Sequence, residues 1–205
     1  MNYEELANEA VVAVTREALE KKGYEVVVVK DGAEALSKIK ESIPAGASVM
    51  NGSSATLEQI GYSDYLAVGK HGWVDLHAKV KVENDKEKRS QLRKQAVLSD
   101  YYLGSVHALV ETGELVVASN TGSQLPHIVF TSSNLILVVS TKKIVATLEE
   151  GMRRLEEHVV PLEDKQSLER YKAHTALNKI VVFKGESPTS GRKIKFILVE
   201  ENLGF

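Results

Sequence analysis

An α/β layered fold with a mostly parallel sheet is what this 205-residue sequence predicts. Two observations predict it. Helix-period and strand-like patterns alternate from the start of the chain, and the run EVVVVK (Glu25 to Lys30) is β-branched on consecutive positions, as in strands covered on both faces. A third observation qualifies the sheet: adjacent apolar runs around Gly113 require at least one antiparallel hairpin.

The elements follow in order. Leu6, Ala10, Val11, Val14 and Ala18 recur near the helical period, with charged residues between them, until Gly23 stops the pattern. Glu25 to Lys30 is the first strand. Asp31 followed by Glu34 is a helix cap leading into Ala35, Leu36 and Ile39, and Pro44 with Gly46 breaks that helix. ASVMNGSSATLEQIG then reads as a strand, a Gly-Ser loop and a short helix closed by Gly61. Glu83 to Tyr101 is highly charged, with Leu92, Ala96 and Leu98 on one face, and predicts a surface helix ahead of a strand at Ser105 to Val110. ELVVAS is the hairpin partner of that strand. Further strands are expected at Asn134 to Ser140, Lys179 to Phe183 and Ile194 to Glu200, with helices at Thr147 to His158 and Leu162 to Thr175 divided by Pro161. GESPTSGRK, from Gly185 to Lys193, is the clearest late loop.

The length suits one well-buried domain over 1–205, with a helical N-terminal segment over about 1–22. Hydrophobic residues make up 43% and charged residues 26%, as in a folded globular chain rather than a disordered one. A formal net charge of -2 gives no general attraction to nucleic acid or to an anionic membrane. Cysteine is absent, which excludes disulfides, thiolate nucleophiles and cysteine-ligated zinc or iron–sulfur centres within this chain. MNYEELANEA is acidic rather than basic then apolar, and no run approaches the roughly 18 apolar residues of a membrane span, so the expected location is cytoplasmic.

The densest chemistry lies in ETGELVVASNTGSQLP, Glu111 to Pro126. Asn120, Thr121, Ser123 and Gln124 offer hydroxyl and amide groups, and Gly122 permits close backbone approach to a ligand. Glu111, at the end of a strand, is the candidate catalytic carboxylate, as general base or as nucleophile toward an activated acyl group. A carboxylate in a hairpin turn is more often solvated, and no basic partner is visible beside it. Asn51, Gly52, Ser53 and Ser54 lie between a strand and a helix, where backbone N–H groups favour phosphate or carboxylate. They lack the GxxxxGK[ST] of a P-loop and the GxGxxG of a dinucleotide fold, so a capped tight turn accounts for them equally well.

Six histidines carry no metal-ligand spacing, since neither HxxxH nor HExxH occurs, and no metal is expected. His127 directly follows the polar loop and His107 shares a strand face with Glu111, which places either at a pocket wall. Lys184, Arg192, Lys193 and Lys195 surround Ser187 and Thr189 and could clamp an anion or stand solvated. Trp73, Tyr62 and Tyr65 could cover a ligand, although packing is their commoner role. KEKRSQLRK, Lys86 to Lys94, reads as a solvated helical face.

The ETGELVV block, LILVVS followed by KKIVATLEEG, and the closing SPTSGRKIKFILVEENLGF together resemble the LUD-domain family, the lactate-utilisation proteins. The similarity spans about Tyr101 to Phe205, and NGSSATLEQIG resembles the family's Ser loop and short helix. The resemblance implies a three-layer α/β/α fold similar to the sugar-phosphate isomerase and coenzyme A transferase superfamily, with ligands at loops following strand ends. It also implies a role in bacterial oxidation of L-lactate to pyruvate, beside partner subunits that carry iron–sulfur clusters. The family's TG turn falls on Thr112 and Gly113, after Glu111, and its late S-x-T element on Ser187 and Thr189. Where family members often continue with Ala, Asp and an apolar residue, this chain has Ser190, Gly191 and Arg192, so an acidic contact is missing.

The leading expectation is a protein that binds a small anionic metabolite or nucleotide-like ligand between the Ser53 loop, the Glu111 to Gln124 segment and the Ser187 loop. It would be an accessory subunit of a lactate-oxidising assembly, without a cofactor of its own. An acyl or coenzyme A transferase or a sugar-phosphate isomerase using Glu111 is the second reading. A pure interaction module presenting the Glu83 to Tyr101 helix is the third. Homo-oligomerisation stays open in each.

Overall fold

The computed structural model describes residues 2–205. Asn8 caps the first helix, α1 (Glu9–Lys21), by accepting from the Val11 N–H at 3.0 Å. Strand β1 (Glu25–Val29) leads through Asp31, which accepts from the Glu34 N–H, into α2 (Gly32–Ser42), as the cap spacing predicts. Strand β2 (Ser48–Asn51) is followed by two short helices, α3 (Ala55–Gln59) and α4 (Tyr62–Ala67). A two-residue strand β3 (Val74–Asp75) and the helices α5 (Leu76–Val82) and α6 (Lys86–Gln95) come next.

Here the structure corrects the sequence reading. The charged helix does not run to Tyr101; it ends in a tight turn at Ala96–Leu98, and Tyr101–Gly104 forms strand β4. Four residues are too short for a period to register. The position is fixed by distant pairing instead, because the Asp100 carboxylate accepts from the Ser48 N–H at 2.8 Å and the Ser48 hydroxyl at 2.6 Å, docking β4 beside β2. Those two bonds also hold the Asp100 pKa below the usual carboxylate range.

β5 (Ala108–Val110) and β6 (Leu115–Ser119) form the expected antiparallel hairpin, turned by Gly113 at φ 88°. β7 (Asn134–Ser140), β8 (Ile144–Val145), β9 (Lys179–Phe183) and β10 (Lys193–Val199) complete the strands. Helices α7 (Leu148–Arg154) and α8 (Val160–Tyr171) are not divided by Pro161. A wide π turn at Leu155–Val159 joins them, and Pro161 sits in the first turn of α8, where a missing N–H costs little.

A six-stranded, wholly parallel sheet in the order β1-β10-β7-β4-β2-β3 forms the middle of a three-layer α/β fold. Ala35, Ile39, Leu57, Tyr62 and Leu66 of α2 to α4 cover one face, packing on Val49, Leu103, Ile136, Val138 and Ile197. The other face carries Met50, Tyr102, Leu135, Leu137 and Phe196, and meets Val12 and Leu19 of α1 together with Leu109, Leu115 and Val117. Those last three belong to a second sheet, β8-β5-β6-β9, whose far side is closed by Leu155 and Val159 of the α7–α8 unit. Trp73 packs in the first of these cores and donates from Nε1 to the Ile43 carbonyl at 3.1 Å, and Tyr62 is fully buried beside it. No helix of the described residues is long and apolar enough to cross a membrane.

Candidate functional site

A cleft is lined by the ends of strands from both sheets. β2 and β4 deliver Gly52 and Ser105 there from the C-terminal ends of parallel strands, while the second sheet contributes His107 before β5 and Ala118 and Ser119 at the end of β6. Helix α8 closes the cleft with Glu163, Ser167 and Tyr171, spaced four apart on one face. The cleft has two adjoining chambers: one of about 380 Å³ lined by both sheets and α8, termed inner, and one of about 430 Å³ beside α5 and α6, termed outer. They share Gly52, Ser53, Tyr102, Ser123, Gln124 and Tyr171.

The polar loop after β6 is shaped by its own side chains. Ser119 Oγ accepts from the Gly122 N–H at 2.9 Å, and Gln124 Nε2 donates to the Ala118 carbonyl at 2.8 Å. Gly122, at φ 86°, makes the turn, and Asn120 accepts from Asn178 at 2.8 Å. On the facing wall, Gly52 is required by close approach: a Cβ there would lie 2.8 Å from the Tyr102 hydroxyl and 3.2 Å from Gln124 Oε1. Tyr102 stacks on His127 with centroids 4.3 Å apart, and burial holds its hydroxyl protonated far above neutral pH. Ser54 caps α3 by accepting from the Leu57 N–H at 3.3 Å, so its hydroxyl serves the turn.

The inner chamber is lined by His107, Lys143 and Glu163. His107 accepts the Ala118 N–H on Nδ1 at 3.0 Å, which leaves the proton on Nε2 and makes that atom a donor. Burial, with the Lys143 and Arg154 charges, pulls its pKa down to about 3, so it is neutral at physiological pH. Lys143, 3% exposed, has Nζ within 3.0 Å of Thr56 Oγ1, 3.1 Å of Ser105 Oγ and 3.2 Å of the Val106 carbonyl. Burial and the neighbouring Arg154 and Lys142 charges lower its pKa well below the ordinary lysine value. On α8, burial lifts the Glu163 carboxyl above its usual range against the opposing Arg170 charge, and Glu58 lifts it further.

The outer chamber is basic. Lys81 of α5 and Arg89 and Arg93 of α6 line it with His77 and His127, and no carboxylate residue is among its lining. Among the described residues, Lys81, Arg89 and Arg93 have no carboxylate within ion-pair distance. Asn51 lines the same chamber, 5% exposed, with Nδ2 donating to the Gly52 carbonyl and Oδ1 left without a partner. Burial lowers the pKa of His77, and pulls that of His127 to about 4.

Of the residues singled out from sequence, Asn51, Gly52, Ser53, Ser54, Asn120, Thr121, Ser123 and Gln124 line one or both chambers. Gly122 shapes the loop between them. Glu111, Thr112 and Gly113 line neither. They occupy the turn at the opposite end of the β5–β6 hairpin, about 20 Å from Ser119 at 3.3 Å per residue. There the Glu111 N–H bonds the Val145 carbonyl at 2.9 Å, and the Gly113 backbone packs against Lys22. Ser187 and Thr189 also stand apart, with their hydroxyls 2.8 Å from one another in an exposed turn. Arg192 of that loop is committed elsewhere: its guanidinium donates to the carbonyls of His127, Ile128, Val129 and Ser132 and to Glu186.

Lys143, Glu163, Lys81, Arg89 and Arg93 were not legible as site residues from their patterns, although Lys143, Arg89 and Arg93 each left a trace. Lys142 and Lys143 interrupt a long apolar stretch. Arg89 and Arg93 are four apart on one helix face, in a run whose one acid is Glu87.

Known proteins share this outline. The LUD domain family model matches residues 12–201. No curated protein matches the chain. Among solved structures, a DUF162 family protein from Deinococcus radiodurans is similar over 95% of this chain and 99% of that one, with a TM-score of 0.57. The two are 14% identical, so this likeness is one of fold.

Proposed function

The chain belongs to the LUD domain family, and from that premise we propose that it binds a small anionic metabolite in the two-chambered cleft. The observation that carries this reading is the outer chamber, where Lys81, Arg89 and Arg93 face a cavity without a carboxylate to neutralise them. Guanidinium groups four residues apart suit a planar carboxylate or a phosphate, and the neighbouring Ser53, Ser123 and Gln124 side chains supply hydroxyl and amide contacts. Family membership supports a lactate-utilisation role. Within it we assign the chain an accessory part in the oxidation of lactate to pyruvate, with the electron-carrying iron–sulfur clusters on partner subunits, since this chain has no cysteine to hold one.

A transferase or isomerase that uses Glu111 finds no support in the geometry, because the carboxylate sits beyond reach of the cleft. Chemistry within the inner chamber is the second reading, favoured by the gathering of His107, Lys143 and Glu163 there.

Titration calorimetry and thermal shift with lactate, pyruvate, coenzyme A, nucleotides and sugar phosphates test the binding. A ligand at about 100 times its Kd adds roughly 2.7 kcal/mol, or about 5 to 10 °C in Tm for a chain of this size. Arg89→Glu together with Arg93→Glu should weaken that ligand about tenfold or more, which is about 1.4 kcal/mol. Undiminished affinity in the double variant would remove the outer chamber from the site.

A further inference from the structure

We infer that Lys143 is a reactive amine that captures the carbonyl carbon of an anionic oxo compound as an imine in the inner chamber. This deepens the anion-binding reading and rests on it for the orientation of the ligand. The two adjacent lysines are the starting point. Both are buried, but Lys142 has a counter-ion, with Nζ 2.9 Å from Glu4 Oε2 and 2.7 Å from Asn202 Oδ1. Lys143 has none. Its Nζ meets two hydroxyls and one carbonyl, and the charges nearest to it, Arg154 and Lys142, are positive. An ammonium removed from water without a carboxylate is the disfavoured form, so burial beside two like charges shifts Lys143 toward the neutral amine that carries the lone pair.

The surroundings suit that neutral amine. The Thr56 and Ser105 hydroxyls can each donate or accept, and so can follow the nitrogen as it gains and loses protons. The backbone at Lys143 is fixed between β7 and β8 in a single turn, Thr141–Lys143, which delivers the side chain to the chamber wall. Glu163, on α8, lines the same chamber and is the carboxyl placed to exchange protons with a bound ligand.

The step balances without an oxidant. The amine nitrogen bonds to the carbonyl carbon, the C–O π pair moves to oxygen, and that oxygen takes a proton while nitrogen gives one up. The resulting carbinolamine loses its hydroxyl with a second proton as water, leaving C=N. The anionic end of the oxo compound then faces the adjoining chamber, whose lining carries Lys81, Arg89 and Arg93 and which shares Gly52, Ser53 and Tyr102 with the first. A 2-oxo acid offers a carboxylate and a phosphorylated ketone a phosphate; the shared chemistry is a carbonyl joined to an anion.

Borohydride trapping tests the imine on the full chain. The protein is incubated with pyruvate or with dihydroxyacetone phosphate under sodium cyanoborohydride, then measured by intact mass and peptide mapping. The expected result is one adduct, heavier by the oxo compound less one oxygen atom, located on Lys143. It should be lost in Lys143→Arg. Trapping by pyruvate identifies the carboxylate source, and trapping by dihydroxyacetone phosphate the phosphate source. No adduct on Lys143 with either compound overturns the inference, as does labelling spread evenly over surface lysines. The mapping is made on the unaltered protein, so a folding defect in the variant does not affect the outcome. Lactate and inorganic phosphate have no carbonyl group that can form an imine, so calorimetry with them separates the two failures. Binding without trapping sinks the amine and keeps the anion site, whereas loss of all binding sinks the anion site itself.

Discussion

Gly52 is the residue on which both chambers turn, and its role is steric. A Cβ would lie 2.8 Å from the hydroxyl of Tyr102, a ring that cannot retreat because it is 1% exposed and stacked on His127. Gly52→Ala should therefore cost about 1 to 3 kcal/mol, as overpacking of a filled site does, and should narrow the shared wall so that ligand affinity falls with stability. Urea midpoints with calorimetry on the same samples check this; an unchanged midpoint would show that Tyr102 yields. Gly52 was readable from sequence as part of a Gly-Ser loop between a strand and a helix, where backbone N–H groups favour an anion; its steric reason was not, because Tyr102 comes from a distant strand. Glu111 was misleading for a related reason: a carboxylate after a strand attracts attention, yet strand direction decides which end of the hairpin meets the cleft. Direction follows from pairing with β8 and β9, which no local pattern encodes.

The element most exposed to test is α6. It has no buried residue, so little tertiary packing stabilises it, and its N-terminus depends on Asp85, which accepts from the Lys88 N–H at 2.8 Å. Amides of Arg89 to Gln95 should exchange with solvent faster than those of α2, whose Ala35 and Ile39 are fully buried. An anion held by Arg89 and Arg93 should slow α6 selectively. Hydrogen exchange with and without saturating ligand measures both effects, and equal protection throughout the chain would separate α6 from the binding event. Asp85→Ala should remove about 1 kcal/mol from the helix and raise its exchange further. The same helix marks a limit of sequence reading. Its charge predicts a solvated face, and the face is solvated; that the solvent is enclosed as a chamber depends on β4 and on the polar loop lying opposite. Pro161 marks another limit, since the preceding π turn lets one continuous unit absorb a residue that ordinarily divides helices.

At the scale of the molecule, the parallel sheet was legible because buried parallel strands are written as continuous apolar runs, and EVVVV and NLILVVS are such runs. The second sheet was legible only as one hairpin, its other strands being joined by pairings across more than 30 residues of chain. The cleft lined by both sheets sets the response of the whole fold to acid. His107 stands on one wall and His127 on the other, and burial lowers their folded-state pKa values to about 3 and about 4. In the unfolded chain each titrates near 6.5, so between those values the unfolded state binds more protons than the folded state. Stability from this source is complete above about pH 6.5 and is lost as pH falls toward the folded values. Glu4 acts in the same direction: burial raises its carboxyl, but the hydrogen bonds and charge of Lys142 outweigh this and hold it below the usual range, so its contribution is also lost in acid. The Tm should therefore fall steadily from pH 7 to pH 4, with a loss of up to about 3 kcal/mol from each histidine. His107→Asn, which retains an acceptor for the Ala118 N–H without an imidazole to protonate, should flatten the profile. An identical profile in that variant would assign the acid response to His127 and the carboxylates, and protonation of His107 would no longer be part of it.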